Sequence, residues 1–66
     1  MTVVLNGERR ELPDRATLAD AVAQLTVAVR GVAVAVNGSV VPRGLWPSTV
    51  LADADDVEVL TAVQGG

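Results

Sequence analysis

The stretch GVAVAVNGSVVP, residues 31–42, decides the fold. Val32, Val34 and Val36 alternate with Ala33 and Ala35, the period-2 pattern of a strand with large side chains on one face and small ones on the other. Neither face is polar, which places the strand in the interior of a sheet, where the alanine face lets another element approach closely. Asn37-Gly38 follows, a pair that accepts positive φ and predicts a tight hairpin turn. The chain then returns through Ser39, Val40 and Val41 as a short strand that stops before Pro42.

Toward the N-terminus the same punctuation recurs. TVVLNGERREL, residues 2–12, reads as two short strands around Asn6-Gly7, closed by Pro13 and Asp14. Between the two hairpins, ATLADAVAQL (16–25) places Leu18, Ala21, Val22 and Leu25 on one helical stripe. Thr17 is the predicted N-cap, and Asp20 three residues later resembles a capping box with Asp in place of Glu. Thr26, Val27 and Val29 weaken the helix by β-branching, and Gly31 ends the connection into the next strand.

Beyond residue 42, Pro42 and Pro47 preclude a regular ladder, and Trp46 lies between them. DADDVEVLTAV (53–63) then runs from an acidic turn into a last strand, with Val57 and Val59 on one face and Glu58 and Leu60 on the other. The predicted order is strand, strand, helix, strand, strand, strand, with no repeat, low-complexity tract or linker. That is an α+β arrangement in two layers: a β-grasp fold with a mixed sheet of four to five strands on one helix, forming a single domain over residues 1–66.

The chain of 66 residues is small, and a domain of this size buries only about 60% of the surface its unfolded form exposes. It has no cysteine and no histidine, which removes disulfides and the usual zinc ligands as staples. Packing of Val, Ala and Leu must stabilise it, and Trp46, the one aromatic residue, is read as a cap on that core rather than an anchor for a partner.

Composition also excludes function classes. A net charge of -3, with no lysine and five scattered arginines, does not provide the basic stripe that nucleic acid requires. No stretch approaches the ~20 apolar residues that span a bilayer, so no membrane role is expected, and the expected location is the cytoplasm. Without Cys or His, nothing activates Ser39 or Ser48 as a nucleophile. The acidic cluster Asp53, Asp55, Asp56 and Glu58 would need a cleft to act as a glycosidase pair. As a calcium loop it lacks the glycine at its sixth position, where Glu58 stands, and the acid at its twelfth, where Gln64 stands. It is read as a solvated turn, with no metal site and no bound cofactor.

What remains is the ending, TAVQGG. A main-chain carboxylate is ionised at neutral pH and a poor electrophile until a partner attaches a nucleotide to it. The resulting mixed anhydride can then be attacked by sulfur or nitrogen. Gly65 and Gly66 suit that chemistry because a backbone without Cβ can thread a narrow channel. Ordering each tail residue costs about 1–2 kcal/mol, so such a partner must also grip the folded body.

These residues resemble the sulfur carriers of thiazole biosynthesis, the ThiS family of ubiquitin-like β-grasp proteins. VNGSVVPRGLW (36–46) looks like the family's strand, turn and Val-Pro-Arg-x-x-Trp segment, VEVLTAVQGG (57–66) like its last strand and tail, and ATLADAVAQL like its helix. Where members commonly carry Asp-Gly-Asp, this chain has Asp53-Ala54-Asp55, which disfavours a left-handed turn at that position.

The resemblance implies that a ThiF-like adenylyltransferase uses ATP to adenylate the Gly66 carboxylate. A donor such as a cysteine desulfurase then supplies sulfur to make a thiocarboxylate, and a ThiG-like thiazole synthase consumes it. The chain would be a carrier and not an enzyme, with Arg43 and Gln64 as possible partner contacts and the first and last strands parallel at the sheet centre. The acidic residues 53, 55, 56 and 58 are expected to steer docking. The competing readings are a small-subunit carrier of molybdopterin synthase, a ubiquitin-like protein modifier, and a β-grasp binding module with an idle tail.

Overall fold

The computed structural model describes residues 1–25 and 31–61. β1 (Thr2–Leu5) and β2 (Glu8–Glu11) form the first hairpin, with Asn6 at φ 49° and Gly7 at φ 84°. Two consecutive positive φ values are what a two-residue turn needs to match the twist of its strands. The second hairpin repeats this at Asn37 (φ 50°) and Gly38 (φ 85°), between β3 (Val32–Val36) and β4 (Ser39–Val40).

α1 (Leu18–Leu25) begins where the sequence predicts. The Thr17 amide donates to Asp20 Oδ2 at 2.9 Å and the Asp20 amide donates to Thr17 Oγ1 at 3.2 Å, a reciprocal capping box closed by Asp. Leu18, Ala21 and Val22 are buried, while Leu25 is half-buried against the same core. Thr26, Val27 and Val29, predicted to weaken the helix, lie outside the described residues. Gly31 enters β3 at φ 69°.

After β4 the chain forms a 3-10 segment, η1 (Arg43–Ser48), in place of a ladder. Trp46 is buried within it, and its indole Nε1 donates to the Val41 carbonyl at 2.9 Å, so the large ring joins the core without leaving a polar atom unpaired. The following residues return to the helix start. Leu18 N donates to the Thr49 carbonyl at 2.8 Å and Leu51 N to that of Ala16 at 2.9 Å.

β5 (Asp56–Thr61) completes a five-stranded mixed sheet in the order β2-β1-β5-β3-β4. It pairs parallel with β1 and antiparallel with β3, so the first and last strands lie side by side at the sheet centre. This is the β-grasp arrangement. Val3, Leu5, Val34, Val57 and Val59 line the inner face against Leu18, Ala21, Val22 and Trp46.

One expectation needs correction. The alanine face of β3 does not receive a packed element: Ala33 is exposed and Ala35 half-buried on the outer side of the sheet. Among the described residues a single helix layer covers one face only, and the absence of a polar face in β3 reflects small residues left at the surface rather than burial on both sides.

Candidate functional site

The sequence placed the chemistry at Gly66, with Gly65 and Gln64 beside it. All three lie outside the described residues, and what the structure describes is the strand that leads to them.

β5 is held on both flanks. Toward β1, Val4 N donates to the Asp55 carbonyl and Asn6 N to the Val57 carbonyl, each at 2.9 Å. Toward β3 the register runs from Val36↔Val57 to Val32↔Thr61. Two side chains extend this ladder. Asn6 Oδ1 accepts from Val59 N at 2.7 Å, and Asn6 Nδ2 donates to the Val59 carbonyl at 3.1 Å. On the opposite flank Asn37 N donates to the Asp56 carbonyl at 2.8 Å, and Asn37 Oδ1 accepts from Asp56 N at 2.9 Å. Each asparagine of the two Asn-Gly turns thus clips β5 with its carboxamide. Sequence reasoning assigned both only to turn-making; the signal available was Asn, rather than Asp or Gly, at the same position of both hairpins.

The acidic segment is structural in part. Asp53 Oδ1 accepts from Thr2 N at 2.9 Å, and Asp55 accepts from Ala52 N at 2.8 Å and from Asn37 Nδ2 at 3.0 Å. Ala54 N donates to the Thr2 carbonyl at 2.7 Å. These bonds hold Ala54 at φ 71°, so the left-handed turn that alanine disfavours forms nonetheless, and that expectation is corrected. Asp53 and Asp55 tie the start of β5 to β1 and to the Asn37 turn, whereas Asp56 and Glu58 are exposed. Among the described residues no group of three or more acidic side chains is arranged to hold a metal ion.

Arg43 is the first residue of η1 and is exposed, on a segment whose position is set by buried Trp46. At the outer face of the sheet, Leu60 and Val40 are exposed at 68% and 76%, and the register aligns Leu60 with Ala33 and Val40 with Ala35. The same face near β2 carries Thr2, Arg9 and Glu11, with Thr2 Oγ1 bonded to Glu11. No helix among the described residues is long and apolar enough to cross a membrane.

A central strand pinned on both flanks completes the β-grasp sheet, and in sequence it is followed by Gly-Gly. The sequence model of the ThiS family matches residues 3–66, so the match runs through the last strand to both glycines. The chain belongs to the ThiS family. It is also similar to the crystal structure of a thiamine biosynthesis protein (ThiS) from Geobacter metallireducens, at 29% identity and a TM-score of 0.79 with 100% of both chains covered. Curated proteins give no match.

Proposed function

We propose that this protein is a sulfur carrier for thiazole formation in thiamin biosynthesis. The observation that carries the reading is the family match over residues 3–66, which takes in both the doubly pinned β5 and the Gly65-Gly66 ending. In this reading the Gly66 carboxylate attacks the α-phosphorus of ATP on an adenylyltransferase and pyrophosphate leaves. A sulfur nucleophile derived from cysteine then displaces AMP, and the resulting thiocarboxylate gives its sulfur to a thiazole synthase.

The carrier's own contribution is mechanical. Its sheet holds β5, the strand that leads to the Gly-Gly ending. Gly65 allows the backbone to enter a narrow channel, and Arg43, exposed at the start of η1, is a partner contact.

Intact mass spectrometry tests the proposal, on protein with its native C-terminus after incubation with the adenylyltransferase, ATP and a sulfur source. The expected result is a mass gain equal to one oxygen replaced by sulfur, mapped to Gly66. Deleting Gly66 should abolish the gain while the circular dichroism spectrum stays unchanged. Loading that survives the deletion overturns the assignment.

A further inference from the structure

β1 can follow β5 only as far as its own turn. Its backbone bends away at Asn6, where φ is 49°, and the Asn6 carbonyl no longer continues the parallel ladder after Asn6 N has bonded the Val57 carbonyl. The next rung would need one acceptor for Val59 N and one donor for the Val59 carbonyl. The Asn6 carboxamide supplies both, at 2.7 and 3.1 Å, and so stands in for the missing peptide group.

From this geometry we infer that Asn6 is a positioning residue for the tail. Among the described residues its carboxamide is the last attachment of β5 on the β1 flank, and it fixes the point from which the chain runs on to Gly66. From Val59, a fully extended chain reaches Gly66 over roughly 23–25 Å. Without the clip, that flank of β5 is anchored only as far as Val57, and a partner that receives Gly66 must also order the freed end of the strand. Few side chains can do both tasks: the position requires a residue that accepts positive φ, and the rung requires a donor and an acceptor on a short stem.

Asn37 provides the internal control. It makes the analogous clip at Asp56, the opposite end and flank of β5, far along the strand from the tail. Its loss should loosen the start of the strand and leave the exit alone.

The inference rests on the sulfur-carrier reading, and the experiment separates the two. Asn6→Gly and Asn37→Gly each keep the turn conformation and remove only the carboxamide. Hydrogen exchange of the full chain should show the Val59 amide about tenfold faster in Asn6→Gly, with Asp56 the affected amide in Asn37→Gly. In the loading assay Asn6→Gly should raise the KM for the carrier by about fivefold with kcat within about twofold, because the added ordering cost falls on binding. Asn37→Gly should leave KM unchanged, and Asn6→Asp, which keeps the acceptor and loses the donor, should fall between wild type and Asn6→Gly. An unchanged Val59 amide in Asn6→Gly overturns the anchoring role, and equal KM increases in both glycine variants overturn positioning in favour of general destabilisation. Wild-type protein that accepts no sulfur overturns the carrier reading instead, while the exchange result still decides what Asn6 holds.

Discussion

The two faces of β5 differ more than their composition suggests. On the inner face Val57 and Val59 are exposed at 0% and 6%; on the outer face Leu60, a larger apolar residue, is exposed at 68%. Hydrophobicity alone would bury all three. The alternation of the strand decides otherwise, because the one helix layer among the described residues covers one side of the sheet. The outer face is itself divided by register. Thr2, Arg9 and Glu11 occupy its β1–β2 end, and Ala33, Ala35, Val40 and Leu60 its β3–β4–β5 end. The inner face maintains the fold, and the outer face is free to vary in chemistry without threatening it.

Removing a side chain that the inner face packs against should produce the largest effect. Leu18, 0% exposed at the start of α1, is held by the capping box on one side and the Thr49 carbonyl on the other, so the surroundings cannot readily collapse into the space it leaves. Leu18→Ala should cost about 2–5 kcal/mol in urea-induced unfolding. Domains are stable by roughly 0.05–0.15 kcal/mol per residue, so this loss approaches the whole stability of the chain. A cost below about 1 kcal/mol would mean that the two faces are not as unequal as their burial indicates.

The turn that feeds β5 belongs to neither face and shows what backbone alone contributes. Ala54 sits at φ 71°, in a region that costs an L-residue roughly 1–2 kcal/mol. Glycine relieves that strain but adds freedom to the unfolded chain, returning about 0.4–1 kcal/mol of the gain. Ala54→Gly should therefore stabilise the protein by about 0.5–1 kcal/mol, read as a higher urea midpoint with unchanged slope. Destabilisation would show that the bonds from Thr2 and Asp53 do not hold this turn as described.

Much of this architecture was legible in the sequence because it rests on local rules. The Asn-Gly pairs, the Leu18–Val22–Leu25 stripe and the alternation of Val57 and Val59 each report on neighbours within a few residues, and the structure places them accordingly. The parallel pairing of β1 with β5 came from family resemblance instead, since it joins residues some fifty positions apart and no local pattern encodes it. The side-chain rungs of Asn6 and Asn37 were hidden for the same reason: a turn asparagine looks alike whether its carboxamide faces water or a distant strand. Ala54 was misjudged because propensity disfavours its conformation, whereas long-range bonds from Thr2 impose it. The proposed role of Gly66 rests on the chemistry of a Gly-Gly ending and the family match, and that of Arg43 on its place after Pro42.

The smallest expected effect is the sharpest test of the comparison. Leu60→Thr removes a large apolar side chain from the same strand that carries Val57 and Val59, yet Leu60 contributes little to the core. Threonine brings the β-branched shape that strands favour and exchanges exposed apolar surface for a hydroxyl that water can satisfy. Stability should change by less than about 0.5 kcal/mol, and the sign can be favourable. Chemical denaturation beside Leu18→Ala supplies the contrast, two leucines in one small domain whose losses differ severalfold. Were Leu60→Thr to cost as much as a core truncation, the outer face would have to be packed in solution, and the division of β5 into a holding face and an open one would fail.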